Sequence, residues 1–240
     1  MSQLRIGCSG WVYRDWVGPF YPREVRVKDR FAWYASRFNT AEINASFYRL
    51  PSEAAVAAWR DQAPDGFVYA WKASRFITQA KKLKDVAEPL ALVYGRMLPL
   101  GDRLGPALFQ LPPQLRLNLE RLETFLALLP SGHRHTIEFR HDSWYVEPVY
   151  ELLARFNVAL CIADHHKAPT PWRVTADFAY VRGHGPGGRY FGSYSDDELR
   201  AWADHIGRWR AEGRDVYAYF DNDVGAAAPA DAQRLRRLCA

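Results

Sequence analysis

Charged and polar residues stand where several apolar runs of this sequence end. Glu42 and Asn44 close one run, Glu138 and Arg140 straddle the end of a second, and His184 follows a third. The members of the first two pairs are two residues apart, so in a β-strand both point to the same face. A buried charge without a partner is costly, so such groups must pair with each other, with water or with a ligand. The pattern therefore predicts a site at the ends of these runs.

The residue types at these positions suit two kinds of chemistry. Lys72, Arg140 and Arg182 are candidates for holding a phosphate or carboxylate, and arginine favours bidentate contact. The alternative is that these cations only neutralise the nearby carboxylates Glu42, Glu138 and Asp164. Carboxylates with separated pKa values act as acid and base, and imidazole titrates near neutrality. We therefore expect proton transfer by the following catalytic candidates: Glu42, Glu138 and His184.

Further candidate substrate-binding residues lie at or just after the ends of the runs. They are Trp11, Asn44, Tyr48, Gln110, Asp164, Tyr190 and Asn222, beside the three cations. The loop 183–190 is rich in glycine, which lets backbone N–H groups approach an anion. The loop 10–22 carries five aromatic residues and is either a stacking surface for a ligand or a plug over the barrel.

Two further sequence features, a possible metal-binding motif and the cysteines, point less strongly to a functional site. Asp164-His165-His166 has metal-binding residue types, but adjacent side chains rarely point at one ion, so we expect no metal and no cofactor. The three cysteines show no C-x-x-C spacing, and an odd count argues against a disulfide framework. Cys8 lies in an apolar run without an evident base, so a buried thiol is favoured over a nucleophile.

Eight short apolar runs alternate with amphipathic segments along the chain. The predicted strands are 4–8, 40–44, 67–72, 106–110, 135–139, 157–163, 178–182 and 215–220. The predicted helices are 28–38, 53–63, 86–101, 118–129, 147–156, 195–212 and 226–239. Segment 164–177 contains two prolines and no helical period, so this crossover should be irregular.

This alternation favours an α/β fold with parallel strands, either closed as a (β/α)₈ TIM-like barrel or open and doubly wound. No G-x-G-x-x-G or P-loop motif follows the first strand, which weakens the open nucleotide-binding alternative. The length of 240 residues suits one barrel, and no composition break marks a linker. We therefore predict a single barrel domain over 1–240, with its site where the strands end.

Composition limits the class of protein. Hydrophobic residues make up 48% and charged residues 25%, so disorder is not expected. No apolar run approaches the roughly 20 residues of a membrane helix, and the first residues do not resemble a signal peptide. Cytoplasmic residence is expected. The net charge of +5 permits an anionic partner, whether a metabolite or a nucleic acid, without requiring one. The oligomeric state is left open.

Read together, the strand-end motifs are recognisable. The sequence resembles the YecE-like family, a domain of unknown function (DUF72), in these stretches: IGCSGW at 6–11, FYP at 20–22, EINASFYRLP at 42–51, KASRFIT at 72–78, LFQLPP at 108–113, EFRHDSW at 138–144, YVRGHG at 180–185 and YFDND at 219–223. The resemblance implies a TIM-like barrel and adds Trp144 to the candidate substrate-binding residues. It brings no established activity.

The sequence departs from the family pattern at three positions. Gln79 stands where the family often has His, so any role of that His in a metal site or proton relay would be missing here. Asp221 stands where Asn is usual, and Cys8 where Thr is frequent.

Three hypotheses of function follow. The leading one is an enzyme that acts on a small anionic or phosphorylated substrate by acid–base chemistry. The second is a protein that binds or processes nucleic acid, using the basic loop at 75–84 and loop aromatics for stacking. The third is a ligand sensor without turnover, which the sequence does not separate from the first.

Overall fold

Eight parallel strands form one sheet that curves into a nearly closed barrel, as seen in a computed structural model that describes residues 2–240. The strands are β1 (Leu4–Cys8), β2 (Thr40–Ile43), β3 (Val68–Lys72), β4 (Leu104–Gln110), β5 (His135–Glu138), β6 (Val158–Ala163), β7 (Phe178–Gly183) and β8 (Asp215–Phe220). Their order is β1-β8-β7-β6-β5-β4-β3-β2. The predicted parallel barrel is confirmed.

Helices connect most of these strands on the outside. They are α1 (Arg30–Ala35), α2 (Ala45–Tyr48), α3 (Glu53–Gln62), α4 (Ala87–Met97), α5 (Leu119–Leu126), α6 (Glu147–Arg155), α7 (Asp196–Ala211) and α8 (Ala227–Leu238). Local signals start several of them: the Ser52 side chain caps α3, and Ser195 forms a capping box with Glu198 at α7. Between β6 and β7 the chain has no helix, as its prolines predict.

The barrel interior is filled by large side chains from two strands packed against small ones from others. Tyr180 of β7 and Tyr217 and Tyr219 of β8 share a buried cluster with Ala70 and Cys161. Burial raises the pKa of the Cys161 thiol far above its ordinary value. The lower barrel is therefore a packed core, and the buried carboxylates and cations of the barrel lie at its upper end, where the strands have their carboxyl ends.

The seam between β1 and β2 is closed differently from the rest of the sheet. Ser9 and Glu42 form a single parallel bridge there. Below it, the hydroxyl of Tyr34, from α1, accepts from the Cys8 N–H at 2.8 Å and donates to the Thr40 carbonyl at 2.9 Å. A side-chain hydroxyl thus takes the place of a backbone hydrogen bond between the two strands.

The aromatic residues of loop 10–22 are partly buried in the core. Trp16 and Tyr21 are fully buried and lie near Phe20 and near Tyr34 of α1. These two rings are therefore not available for stacking on a ligand. Trp11 differs from them, because it lines a surface cavity described below.

Candidate functional site

Arg182 is the centre of a charged cluster at the upper end of the barrel. Its guanidinium is buried and donates to Glu42 Oε1 at 2.8 Å, to Glu138 Oε2 at 2.9 Å and to Asp221 Oδ2 at 2.8 Å. Its Nε donates to Glu42 Oε2 at 3.1 Å. The donors of one arginine are therefore used by three carboxylates of the same chain.

Strand alternation places these groups together. Tyr180, Arg182 and His184 follow at two-residue intervals along β7 and its end, so their side chains face the interior in successive layers. Glu138 and Arg140 do the same on β5. Parallel strands end at the same rim, so their last inward residues meet.

Glu42 is fully enclosed by its partners. Ser9 Oγ donates to its Oε1 at 2.5 Å, Tyr180 Oη donates to its Oε2 at 2.6 Å, and both oxygens also receive Arg182. Burial alone would raise the pKa of this carboxyl, but Arg182 and the two hydroxyl donors hold it below its ordinary value. Glu42 is ionised and saturated with donors.

Glu138 lies between two arginines. Its Oε2 accepts from Arg182, and its Oε1 forms an ion pair with Arg140 without regular hydrogen-bond geometry. Burial would raise its pKa, but Arg140 and Arg182 hold it well below the usual range. One oxygen of Glu138 thus has no well-directed donor.

His184 is fully buried with both ring nitrogens occupied. Nε2 faces Arg140 Nη2 at 3.0 Å and Arg182 Nη1 at 3.2 Å, and guanidinium groups only donate. The proton therefore sits on Nδ1, which lies 3.2 Å from Asp164 Oδ1. Asp164 also accepts from the His184 backbone N–H at 2.7 Å. Its second oxygen accepts from the Tyr194 hydroxyl.

Arg140 marks the outer edge of the cluster. Its Nη1 donates to the hydroxyl of Tyr190 at 2.8 Å, and its Nε is buried without a partner. Tyr190 itself is 40% exposed. In the glycine-rich loop, the N–H groups of Gly185, Gly188 and Tyr190 donate within the protein, so they do not form an open anion cradle.

Lys72 differs from the other cations. Its side chain is only 7% exposed, and its ammonium has no hydrogen bond and no ion pair within residues 2–240. Nζ stands 4.2 Å from the centre of the Phe47 ring. Burial lowers the pKa of Lys72, as does the nearby Arg182, to about 8, although Glu138 and Glu42 act in the opposite direction.

The three candidate cations therefore differ in their ion-pair partners. Arg182 and Arg140 neutralise carboxylates of the cluster, which was the alternative to a ligand clamp. Asp164 pairs with His184 rather than with a cation. Lys72 is the cation of the cluster whose charge has no carboxylate partner within residues 2–240.

Other predicted residues lie near the cluster or outside it. Asn44 Nδ2 donates to Ser9 Oγ at 2.7 Å, and Gln110 is at the end of β4, beside Glu138 in register. Trp144 is buried elsewhere: its indole donates to Leu115 and stacks on Phe139 at 4.6 Å. The structure therefore places Trp144 in the layer between barrel and helices, because a 3₁₀ turn at 142–144 directs it there.

Tyr48 and Asn222 also lie apart from the cluster. Tyr48 is 66% exposed on the surface. Asn222 is buried and donates to Asp231 at 2.9 Å and to the Gly192 carbonyl at 2.7 Å, a structural arrangement. Strand alternation at β8 puts Tyr219 and Asp221 on the inner face and leaves Asn222 on the other.

Sequence reasoning did not select three members of the cluster: Ser9, Tyr180 and Asp221. The two-residue period would have found Tyr180 below Arg182 and Asp221 above Tyr219. At Asp221, where the family usually has Asn, the extra charge gives Arg182 a third carboxylate. Gln79, in place of the family's His, donates to the Gln110 carbonyl at 2.8 Å at the rim.

A surface cavity of about 370 Å³ adjoins the cluster at Asn44. Its walls include Trp11, Val12, Tyr13 and Trp59. The Oδ1 atom of Asn44 is buried without a donor. The cavity thus joins aromatic walls to a polar group that is itself bonded to the cluster.

Within the described range 2–240, no group of three or more His, Cys, Asp and Glu side chains has an arrangement suited to a metal ion. Over the same residues, no helix is both long and apolar enough to cross a bilayer.

Comparison with known proteins agrees with the motifs. Residues 5–240 match the family model described as protein of unknown function DUF72. The chain belongs to the DUF72 family. It is 25% identical to the UPF0759 protein YunF of Bacillus subtilis (strain 168), over 98% of this chain and 94% of that protein.

Solved DUF72 structures share the fold. A DUF72 protein from Thermotoga maritima MSB8 matches with a TM-score of 0.89 at 25% identity, covering 98% of each chain. One from Enterococcus faecalis V583 matches with a TM-score of 0.85 at 19% identity, over 99% of this chain and 95% of that one. These names describe no activity, so the DUF72 assignment fixes the fold and leaves the chemistry to the site.

Proposed function

We propose that this DUF72 protein is an enzyme that acts on a small anionic substrate by acid–base chemistry at the upper end of the barrel. The observation that carries the proposal is Lys72. Its ammonium is almost enclosed, yet it has no counter-ion, while the other two cations of the cluster are paired. A substrate carboxylate or phosphate would supply the missing acceptor.

Arg140 is placed to contact the same carboxylate or phosphate of the substrate. Its partner Tyr190 is partly exposed, so this edge of the cluster borders solvent. The aromatic cavity at Trp11 and Asn44 offers room for an apolar part of the molecule.

Lys72 is the group best suited to proton transfer. With a pKa of about 8, it exchanges its proton near neutral pH. Glu138 has one oxygen without a well-directed donor, but Arg140 and Arg182 hold its pKa well below the usual range, so it stays ionised. Glu42 and His184 are saturated, so in this proposal they are positioning residues that hold Arg182 and Arg140.

The test is anion binding measured by calorimetry and thermal shift, with inorganic phosphate and small carboxylates as probes. Lys72→Met should weaken binding at least tenfold, and Lys28→Met, an exposed control, should leave it unchanged. The proposal is wrong if no anion binds, or if Lys72→Met binds as the native protein does. Arg182 is unsuited to this test, since its loss would strand three buried carboxylates.

A second candidate function rests on a surface beside the site. Tyr48 and Phe76 are 66% and 50% exposed, and Arg75 and Lys81 each stand 6.0 Å from one of these rings. Exposed aromatics flanked by cations suit stacking with single-stranded nucleic acid. Such binding should weaken steeply as salt rises and should be lost in a Tyr48→Ala/Phe76→Ala variant; absent or salt-independent binding would remove this candidate.

A further inference from the structure

We infer that Lys72 is a nucleophile that forms an imine with a small aldehyde or ketone carrying a carboxylate or phosphate. The inference deepens the proposed function and rests on it for the anionic part of the substrate. It assigns the bond that the enzyme makes and the residue that makes it.

The surroundings of Lys72 suit an amine that must lose its proton. Burial, Arg182 and Arg140 disfavour its charge, and Glu138 and Glu42 offset this only in part, since no carboxylate oxygen in residues 2–240 lies within the 4.0 Å of an ion pair. With a pKa of about 8, roughly a tenth of the side chains are neutral at pH 7, against fewer than about one in a thousand for an ordinary lysine. Only the neutral amine attacks a carbonyl carbon.

The side chain is held while its amine stays accessible. The Ser46 hydroxyl donates to the Lys72 carbonyl at 2.7 Å, which fixes the end of β3 to α2. The Phe47 ring lies beneath Nζ. Nζ has no hydrogen bond and is not among the fully enclosed polar atoms, so it keeps contact with solvent. A small carbonyl compound can therefore meet this amine at the boundary with solvent.

The neighbouring groups complete the reaction. The nitrogen lone pair of Lys72 attacks the carbonyl carbon; the nitrogen gives up one proton and the carbonyl oxygen takes up one, which gives a neutral carbinolamine. The hydroxyl then takes up a proton, the C–O bond breaks and one water leaves, and the nitrogen releases its last proton as the C=N bond forms. Solvent at Nζ supplies and takes up these protons, because Glu138 is held ionised by two arginines, and Arg140 is placed to hold the anionic group. No oxidant or reductant is required.

The experiment traps the imine with sodium cyanoborohydride, which converts it to a stable secondary amine on the labelled lysine. The full-length protein is incubated at pH 7 with glyoxylate or pyruvate, or with glycolaldehyde as an uncharged probe. Peptide mass mapping then follows all six lysines, of which Lys28, Lys82, Lys84 and Lys167 are exposed internal controls. Lys72 should be labelled at least tenfold faster than these four.

Two further measurements sharpen the result. The labelling rate of Lys72 should rise with pH and level off above about 8, whereas that of Lys28 should keep rising. A Lys72→Arg variant keeps the charge and should show no adduct at this position, while Lys28→Arg should leave the Lys72 adduct unchanged.

The outcomes separate this inference from the proposed function. If phosphate and pyruvate bind through Lys72 but no adduct forms there, the imine inference is wrong and the proposed function stands. If glycolaldehyde labels Lys72 rapidly but phosphate gives no protection and glyoxylate no advantage, the nucleophile is supported and the anionic substrate is wrong. Labelling of Lys72 only after unfolding, or no faster than Lys28, overturns the imine.

Discussion

Replacing Lys72 by methionine should make the protein more stable. Methionine keeps the unbranched shape of the side chain and its contact with Phe47 while removing a largely buried charge that has no ion-pair partner within residues 2–240. The folded state lowers the pKa of Lys72 from 10.5 to about 8, mainly by burial. A shift of this size means that folding disfavours the charged lysine by about 3 kcal/mol at pH 7.

The pH dependence of the gain in stability tests whether the buried charge of Lys72 causes it. Because the folded-state pKa is the lower one, the penalty is fully present below about pH 8 and declines as pH rises towards 10.5. The advantage of Lys72→Met should therefore fall from about 3 kcal/mol at pH 7 to about 1.5 kcal/mol at pH 9.5. Urea denaturation at both pH values measures the free energies of unfolding.

The matched control is Lys28→Met, which alters an exposed lysine and should change stability by less than about 0.5 kcal/mol at either pH. The reasoning would be refuted if Lys72→Met were destabilised, or if its advantage did not depend on pH. A stabilising substitution that also abolishes anion binding would show that the site is kept at the expense of stability.

Three further predictions concern the framework of the site. Arg182→Met should lower the free energy of unfolding by about 3–5 kcal/mol, since it strands buried carboxylates, and a loss below about 1 kcal/mol in urea denaturation would contradict the network. Tyr34→Phe should cost about 1–3 kcal/mol by removing the hydroxyl between β1 and β2, while the control Tyr48→Phe, at an exposed ring, should be neutral in the same assay. Burial, with Asp221, raises the pKa of Asp223 to about 8, so folding is favoured at low pH and loses stability between about pH 4 and 8. Between pH 4.5 and 7.5, Asp223→Asn should remove up to about 4 kcal/mol of this pH-dependent loss in the free energy of unfolding. If calorimetry shows the same pH profile for the variant and the native protein, this prediction is wrong.

Much of the barrel was predictable because its strands are short continuous apolar runs bounded by turn residues and helix caps. The rim position of Glu42, Glu138 and Arg182 followed from alternation and from the parallel order of the strands. The apolar runs and the two-residue alternation are both local patterns, so they can be read from a single sequence.

The pairing within the site was not predictable in the same way. Which carboxylates meet Arg182 depends on the distance across the barrel, which is set by strand tilt and by the packing of Tyr180 and Tyr219 below. That Lys72 stays unpaired is likewise a property of three-dimensional distances. Trp144 shows the converse limit: the family resemblance made it a candidate for substrate binding, but a short 3₁₀ turn carries it to the outer layer.

At the seam beside Tyr34, the order of the strands in the sheet differs from their order in the chain. β1 is paired with β8 along its whole length, whereas one bridge and one hydroxyl link it to β2. The two edges of the sheet are thus β1 and β2, although they are consecutive strands. Leu4 borders the same surface cleft as Cys239, so a circularly permuted chain that opens before α1 and joins these ends would run from β2 to β8 and finish with β1. In that chain every hydrogen-bonded neighbour in the sheet would also be a neighbour in sequence.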